Sequence, residues 1–170
     1  PKGPVIMASR KHYGFVKRLF ESEIPELADG SIILHAVARE AGVRSKVAVE
    51  SVNERIDAIG SCIGERGSRI ASILKELNGE KVDLVLYSED PAEYIKNALS
   101  PAKDAIVNIT NPMKKEALAI VNDENLSLAI GKKGLNVKLA ARLTHYKIDV
   151  KTMEQAASEG INIVEWEKFH

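Results

Sequence analysis

A short stretch with two glycines occurs twice in this chain, and no other feature constrains its fold as strongly. The first copy spans residues 63–70 (IGERGSRI) and the second spans residues 130–137 (IGKKGLNV). In both, an apolar residue precedes a Gly-x-x-Gly loop, and a second apolar residue follows after two spacers. A short apolar segment lies before each loop, and a helical run and then a β-rich run follow it. Matched elements in the same order predict an internal duplication, and therefore two similar modules.

Hydrophobic periodicity and turn residues predict the elements around the two loops. In the first half they are a helix at 9–21, a linker at 24–29, strands at 31–40, 46–51 and 82–87, a short helix at 57–63, a longer helix after Gly67, and a helix at 91–99. In the second half they are strands at 105–109, 116–121 and 147–150, helices at 125–130, 135–146 and 153–158, and a further strand at 161–164. Both element types occur within each half, which predicts an α+β fold.

This pattern divides the 170 residues into four segments. We expect a lead-in segment with the N-terminal helix at 1–30, a first domain at 31–100, a second domain at 101–155 and a C-terminal tail at 156–170. The predicted junction between the domains lies at Ser100 and Pro101. Because the chain begins with Pro1 rather than methionine, we expect it to be a fragment or a processed product.

The totals argue against several classes of function. Lysine plus arginine and aspartate plus glutamate both number 24, which disfavours a nonspecific duplex-DNA binder with a net basic face. The chain contains neither a run of about 18 apolar residues nor a signal-peptide pattern, so we expect no membrane partner. Cys62 is the single cysteine, which excludes an internal disulfide and fits a cytoplasmic location. We expect its side chain to be a buried small hydrophobe.

No residue pattern indicates catalysis. The four histidines lack a metal-ligand spacing such as His-x-x-x-His, and adjacent acids such as Glu89 and Asp90 fit helix starts better than acid–base chemistry. We therefore predict that the chain is not an enzyme and that it binds no cofactor, metal ion or small-molecule substrate. Aromatic residues make up only 5%, which disfavours a surface that stacks bases on aromatic side chains.

Basic residues are concentrated around the second loop. Residues 131–151 contain one acid, Asp149, and six bases: Lys132, Lys133, Lys138, Arg142, Lys147 and Lys151. Such a run is often no more than a solvated helix face. Its coincidence with a Gly-x-x-Gly loop favours a phosphate-binding surface instead.

The loop itself suits the backbone of a single-stranded nucleic acid. Glycine at each corner lets the chain turn sharply and lets a sugar-phosphate backbone approach without a Cβ in between. The following helix is predicted to begin at Ser68 or Leu135, so its free N–H groups and positive dipole end favour anions. Arg66, Lys132 and Lys133 add side-chain charge. Neither copy has the spacing of a nucleoside-triphosphate loop or a dinucleotide fingerprint, and single-stranded RNA is the predicted partner.

The same residues resemble a known family. Ile-Gly-x-x-Gly-x-x-Ile/Val is similar to the KH-domain signature, and the strings at 3–10, 16–21, 24–26, 46–51 and 128–131 resemble the tandem KH region of the NusA family of bacterial transcription factors. The resemblance covers roughly residues 3–153. It implies two tandem type II KH domains, each a three-stranded sheet packed on helices, side by side in one RNA surface. It also implies roles in transcription elongation, pausing, termination and antitermination, and binding to RNA polymerase by the full-length protein.

The predicted RNA-binding residues are the loops and their neighbours: Ile63, Gly64, Glu65, Arg66, Gly67, Ser68, Arg69, Ile70, Ile130, Gly131, Lys132, Lys133, Gly134, Asn136, Val137 and Lys138. Bases would lie in aliphatic grooves beside the loops. Some of the candidate groove residues must instead belong to the core, because alternate residues of a strand face opposite sides of the sheet. The groove residues are Ile63, Ile70, Val82 and Leu84 in the first domain, and Ile130, Val137, Ile148 and Val150 in the second. Glu65 places an acid in the first loop, so we expect the second loop to contribute more electrostatic affinity. The first would then act through its backbone and through Arg66 or Arg69.

Three other interpretations stay open at the level of sequence. The chain could be a stand-alone two-KH protein, like the short archaeal NusA-like proteins, or the RNA-binding appendage of an enzyme such as an exoribonuclease. It could also be a protein-interaction scaffold whose KH folds have lost RNA affinity, as the neutral net charge and Glu65 would allow. Salt dependence of RNA binding separates a binder from a scaffold.

Overall fold

The computed structural model of the protein describes residues 14–159. Residues 1–13 of the predicted lead-in segment, which include the start of the helix predicted at 9–21, and the strand predicted at 161–164 lie outside the described residues. Contacts divide the chain into two compact units that meet between Tyr87 and Ser88. Each unit is built from helices and one small sheet.

The first unit winds its helices around a three-stranded sheet. Its elements are α1 (Phe15–Glu23), α2 (Pro25–Ala28), β1 (Ile32–Glu40), β2 (Arg44–Ser51), α3 (Ala58–Ile63), α4 (Ser68–Glu76) and β3 (Lys81–Leu86). The strand order is β1-β2-β3, with β2 antiparallel to β1 and parallel to β3. A parallel pair needs a long crossover connection, and α3, the first Gly-x-x-Gly loop and α4 together supply it.

The apolar residues of this unit form one core between helices and sheet. Along β2, Val47 and Val49 alternate with Ala48, so the two valines share one face of the sheet. Along α4, Ile73 and Leu77 recur at helical spacing and are buried on the same stripe. The other buried members of the core are Val16, Phe20, Ile24, Ile32, Ala58 and Cys62.

The second unit repeats this topology. Its elements are α5 (Pro91–Ala98), β4 (Ile106–Asn111), β5 (Glu116–Val121), α6 (Asp123–Ile130), α7 (Leu135–Thr144), β6 (Lys147–Thr152) and α8 (Met153–Ser158). The strand order is β4-β5-β6, again antiparallel and then parallel. Leu118, Ile120 and Ala156 form a buried cluster, and Leu139 and Leu143 of α7 are also buried. The predicted α+β fold, with a three-stranded sheet packed on helices in each module, is confirmed.

Local sequence explains how several helices begin. The Asp57 side chain accepts a hydrogen bond from Gly60 N at 3.0 Å and caps α3. The Asp90 side chain caps α5, in which proline occupies the first turn. Thr152 and Gln155 form a reciprocal capping box at the start of α8. These polar side chains satisfy N–H groups that have no partner within the helix.

Two predictions about the connections differ from the structure. The linker predicted at 24–29 is wrong, because these residues contain the short helix α2. Pro25 stands in the first turn of α2, where its missing N–H costs no hydrogen bond, so the same proline that ends α1 can begin α2. Contacts also place α5 in the second unit, whereas the sequence pattern predicts the domain boundary after this helix, at residue 100.

A buried carboxylate ties the three strands of the first sheet together. Glu80 precedes β3, is 1% exposed, and accepts hydrogen bonds from Arg39 Nη2 at 2.9 Å, from Gly42 N at 2.9 Å and from Ser45 Oγ. Burial by itself would raise the pKa of Glu80, but the hydrogen bonds from Arg39, Ser45 and Gly42 outweigh it and hold the pKa below its ordinary value. The carboxylate therefore fixes the β1–β2 turn to the start of β3.

Candidate nucleic-acid interface

The two Gly-x-x-Gly loops share one backbone conformation. The first glycines, Gly64 and Gly131, have φ/ψ of 79°/174° and 78°/170°. The second glycines, Gly67 and Gly134, have φ/ψ of 74°/16° and 75°/12°. In each loop the N–H of the second glycine donates to the carbonyl of the first at 3.1 Å. The duplication therefore extends to the torsion angles, although the residues between the glycines differ.

The two glycines of a loop serve different purposes. A Cβ added to Gly64 would lie 2.6 Å from Arg69 Cγ, and the equivalent atom in the second loop would lie 2.6 Å from Asn136 Cβ. A Cβ added to the second glycine of either loop would have no atom of the described residues within 4 Å. The first glycine is therefore required by packing against the following helix. Only at the second glycine is the space that a Cβ would occupy open, and ligand approach at either glycine stays a prediction.

The residues between the glycines are exposed. Arg66 has φ 54° and Lys133 has φ 58°, which places both in the left-handed region. A residue with a Cβ is strained there by about 1–2 kcal/mol, so the surrounding loop must hold it in place. The first loop presents Glu65 and Arg66, whereas the second presents Lys132 and Lys133.

Each loop leads directly into the N-terminus of a helix. The helices begin at Ser68 and Leu135, as the sequence predicts, and they contain nine and ten residues. The residue before each is a glycine, which makes no side-chain capping hydrogen bond. The N–H of the first helical residue is already engaged, because Ser68 N donates to Glu65 O and Leu135 N donates to Lys132 O within the loop. The helix dipole adds positive potential at this end. The loop and the helix start together form a place that suits an anion.

Arg69, a predicted RNA contact, is engaged by the protein itself. Its Nη1 donates to Glu26 Oε1 in α2 at 2.7 Å and to Ser61 O in α3 at 2.8 Å. The side chains of Arg69 and Glu26 are each 30% exposed. The guanidinium group thus connects the first loop to two neighbouring helices.

Asn136 occupies the equivalent position of the second loop and is fully buried. Its Nδ2 donates to Ala129 O in α6 at 2.9 Å and to Leu99 O at the end of α5 at 3.1 Å. The protein encloses the side chain of Asn136 completely. It therefore presents no surface to RNA, although Asn136 is among the predicted RNA-binding residues.

The predicted aliphatic groove of the first unit divides between surface and core. Ile63 is 38% exposed, whereas Ile70, Val82 and Leu84 are partly buried and pack against the core. In the second unit the four equivalent side chains are half-buried: Ile130, Val137, Ile148 and Val150. Two polar neighbours of the loops, Ser68 and Lys138, are exposed.

Cys62 lies beside the first loop, in the last turn of α3, and is buried as predicted. Burial is the main reason that the pKa of its thiol is raised to about 11. A thiol with so high a pKa is a poor nucleophile at neutral pH. The structure therefore gives Cys62 a packing role.

Within residues 14–159, His, Cys, Asp and Glu side chains form no group of three or more that could hold a metal ion. No helix in the same stretch combines the length and the apolar character needed to cross a membrane.

Comparison with known families matches both units. A family described as the NusA-like first KH domain matches residues 10–87, and a family described as the NusA-like second KH domain matches residues 91–158. The chain belongs to the NusA family of tandem KH domains. The two NusA-like matches occur in the order of the two units, and each contains one of the Gly-x-x-Gly loops.

Similar proteins carry the name transcription termination/antitermination protein NusA. The relative from Halalkalibacterium halodurans is 53% identical over 160 residues, and the match covers 94% of this chain and 42% of the relative. The relative from Bacillus subtilis is 51% identical, covering 94% and 43%, and that from Thermus thermophilus is 46% identical, covering 90% and 39%. This chain therefore spans less than half the length of these relatives.

A solved structure shares the fold at low sequence identity. The crystal structure of APE1850 matches with a TM-score of 0.57 and 23% identity, over 79% of this chain and 94% of that chain. At this identity the match supports the fold and nothing further.

Sequence reasoning did not find the residues that hold the loops in place. Glu26 lies far from the first loop in sequence, and its pairing with Arg69 depends on the position of α2. The contact of Asn136 with Leu99 uses a backbone carbonyl, so the identity of residue 99 does not indicate it. A spacing rule was nevertheless present, because Arg69 and Asn136 both follow the second glycine of their loop by two residues.

Proposed function

We propose that the chain binds single-stranded RNA through its two Gly-x-x-Gly loops, without catalysis. The observation that carries this proposal is the common loop conformation, which twice places an open glycine at the start of a helix. Four nucleotides gripped along their backbone is the mode that KH modules use. The phosphates would lie against the second glycine, where no Cβ obstructs them, and close to the positive end of the helix dipole.

Bases would lie along the aliphatic side chains that flank the loops. Ile63 is the most exposed of the predicted groove residues in the first unit, and Ile130 and Val137 are half-buried in the second. Aliphatic side chains can contact every base without reading its edges, so discrimination between bases would depend on polar groups nearby.

The two loops would contribute unequally to affinity. Lys132, Lys133 and Lys138 are all exposed around the second loop, whereas Glu65 offsets Arg66 in the first. Charge near a phosphate supplies most of the sequence-independent affinity and all of its salt dependence. The second loop would therefore provide the larger electrostatic term, and the first would depend on its backbone N–H groups.

The cellular role proposed for the whole protein follows its relatives. Proteins named for transcription termination and antitermination are about half identical to this chain. We extend this to RNA binding during elongation, pausing, termination and antitermination in the cytoplasm, with RNA polymerase as a partner of the full-length protein. RNA binding by this region would supply the contact with the transcript.

A charge reversal in the second loop tests the proposal. Replacing both Lys132 and Lys133 with aspartate should weaken binding to a short fluorescein-labelled single-stranded RNA by about tenfold or more, because two attractive charges become repulsive. Fluorescence anisotropy titration measures this change, and circular dichroism verifies that the variant is folded.

The matched control reverses two charges elsewhere. Lys17 and Arg18 are adjacent exposed bases on α1, so the double variant K17D/R18D has the same net charge as K132D/K133D. A folded K132D/K133D variant that binds as tightly as the control would refute the role of the second loop. RNA binding that does not weaken with salt would favour a protein-interaction scaffold instead.

A further inference from the structure

Each loop has a buttressing side chain at the same place. Arg69 and Asn136 both lie two residues after the second glycine, and the stem of each passes directly beneath the first glycine of its loop, where a Cβ would come within 2.6 Å. The two side chains differ in charge, length and shape. Their common position therefore points to a common task that does not depend on charge.

That task has two parts, and both residues perform both. The first part is a hydrogen bond to the last turns of the helix before the loop, from Arg69 to Ser61 O at 2.8 Å and from Asn136 to Ala129 O at 2.9 Å. This bond joins the two ends of the loop across its base. It limits the directions in which the loop can open.

The second part is a contact with the helix that precedes each sheet. Arg69 reaches Glu26 of α2, just before β1, and Asn136 reaches the carbonyl of Leu99 at the end of α5, before β4. One contact is an ion pair and the other is a neutral hydrogen bond. In both units the residue after the loop is therefore tied to the helix before the sheet, although the chemistry of the contact differs. This argues that the tie between loop and helix is the shared feature.

We propose that Arg69 and Asn136 are positioning residues that hold each Gly-x-x-Gly loop in its binding conformation by tying it to α2 or α5. This inference rests on the proposed function, since the loops must bind RNA for their position to affect affinity. In the first unit it assigns Glu26 a role as the anchor of Arg69. The charge of Arg69 then serves Glu26 and Ser61, and an RNA phosphate is not its partner.

Removing the anchor distinguishes this assignment from direct phosphate binding by Arg69. If Arg69 is a positioning residue, Glu26→Ala loosens the first loop and weakens RNA binding by about three- to tenfold, the range expected for losing one hydrogen bond's contribution. If Arg69 is a phosphate ligand, the same change frees its guanidinium group and removes a negative charge, so RNA binding becomes tighter. The two assignments predict opposite signs.

Salt dependence supplies a second, independent readout. Arg69→Met keeps an unbranched stem beneath Gly64 but removes the hydrogen bonds to Glu26 and Ser61. Under the proposal it weakens RNA binding without changing the slope of log Kd against log salt, because no phosphate contact is lost. Lys133→Met, which removes a charge from the second loop, should reduce that slope by about 0.7. A fall of similar size for Arg69→Met would overturn the proposal.

A matched control isolates the contact from the change in charge. Glu21→Ala removes one exposed acid from the neighbouring helix α1 without touching Arg69. Thermal unfolding verifies that every variant is folded at the assay temperature. In ¹H–¹⁵N NMR spectra the amides of Gly64 and Gly67 should shift in Glu26→Ala and stay in place in Glu21→Ala. Equal RNA affinity of these two variants, or unchanged loop amides in both, would contradict the role of Glu26.

The same experiments separate failure of this inference from failure of the proposed function. If the unaltered chain binds no RNA, the proposed function is wrong, and the NMR shifts alone decide whether Glu26 positions the loop. If the chain binds RNA and K132D/K133D weakens it, while Glu26→Ala binds as tightly as Glu21→Ala, the function stands and the positioning role is refuted.

Discussion

At the scale of single residues, the first and second glycine of a loop carry different constraints. A Cβ on Gly131 would lie 2.7 Å from Asn136 N, which is backbone and cannot move aside easily. Gly134 needs only its positive φ of 75°. A loop that reads as a symmetric pair of glycines in the sequence is therefore asymmetric in its physical demands.

This asymmetry predicts different costs for alanine at the two positions. Gly134→Ala should lower the free energy of unfolding by about 1–2 kcal/mol, the strain of a Cβ in the left-handed region. Gly131→Ala should cost more than this, because its φ/ψ of 78°/170° lies in a region that essentially only glycine adopts, and the added Cβ would also collide with α7. Urea unfolding followed by circular dichroism measures both. Equal costs, or a larger cost for Gly134→Ala, would show that the close approach of Asn136 does not constrain the loop.

The pattern of glycines predicted the loops, but not what holds them. A Gly-x-x-Gly spacing indicates a sharp turn because glycine alone tolerates the torsion angles without strain. It carries no information on Arg66 and Lys133, which adopt positive φ despite having a Cβ. Nor does it indicate that Arg69 pairs with Glu26, because that contact depends on where α2 packs. Contacts distant in sequence need the tertiary structure.

At the scale of elements, hydrophobic periodicity predicted most helices and strands near their observed limits. The starts of α4 and α7 and the whole of α8 were predicted correctly, since glycine and threonine there give clear boundary signals. The short helix α2 was missed because four residues are too few to show a period, and a proline is compatible with either a break or a helix start. Hydrophobic periodicity therefore does not predict helices as short as α2.

The Glu80 network predicts a specific acid sensitivity of the first sheet. The pKa of Glu80 lies below its ordinary value of 4.5, so the unfolded state takes up the proton first as pH falls. Its stabilising contribution is thus complete well above pH 4.5 and is lost as pH falls through the folded-state pKa. Glu80→Gln should cost about 2–4 kcal/mol at neutral pH, since it weakens the buried pair with Arg39.

Urea unfolding at a series of pH values checks this account. The difference between the original chain and Glu80→Gln should be largest at neutral pH and should shrink as the pH falls below 4.5. Glu76→Gln serves as the control, because Glu76 is an exposed acid at the end of α4. A difference that is constant across the acid range would mean that the charge of Glu80 does not contribute to the stability of the sheet.

At the scale of the whole molecule, the duplication places two Gly-x-x-Gly loops, the proposed RNA-binding sites, on one chain. Each unit has its own sheet and its own loop, so under the proposed function each unit would hold a segment of RNA. When one loop has bound, the second binding step becomes intramolecular and gains an effective concentration set by the RNA between the two contacts. Two individually weak contacts can in this way produce a high overall affinity for RNA. This gain would compensate for the small electrostatic attraction expected of a chain with no net charge.

This reasoning predicts that affinity depends steeply on RNA length. A KH module holds about four nucleotides, so an RNA of that length can occupy one loop only, whereas an RNA several times longer can reach both and should bind about 100-fold more tightly. K132D/K133D should remove most of this gain, because only the first loop then binds RNA, and the affinity for the four-nucleotide RNA should fall to that of the first loop alone. Anisotropy titrations with both lengths measure the effect, with K17D/R18D as control. A K132D/K133D variant that keeps the full length dependence would mean that the gain arises outside the second loop, because a loop that repels phosphate cannot supply the second contact.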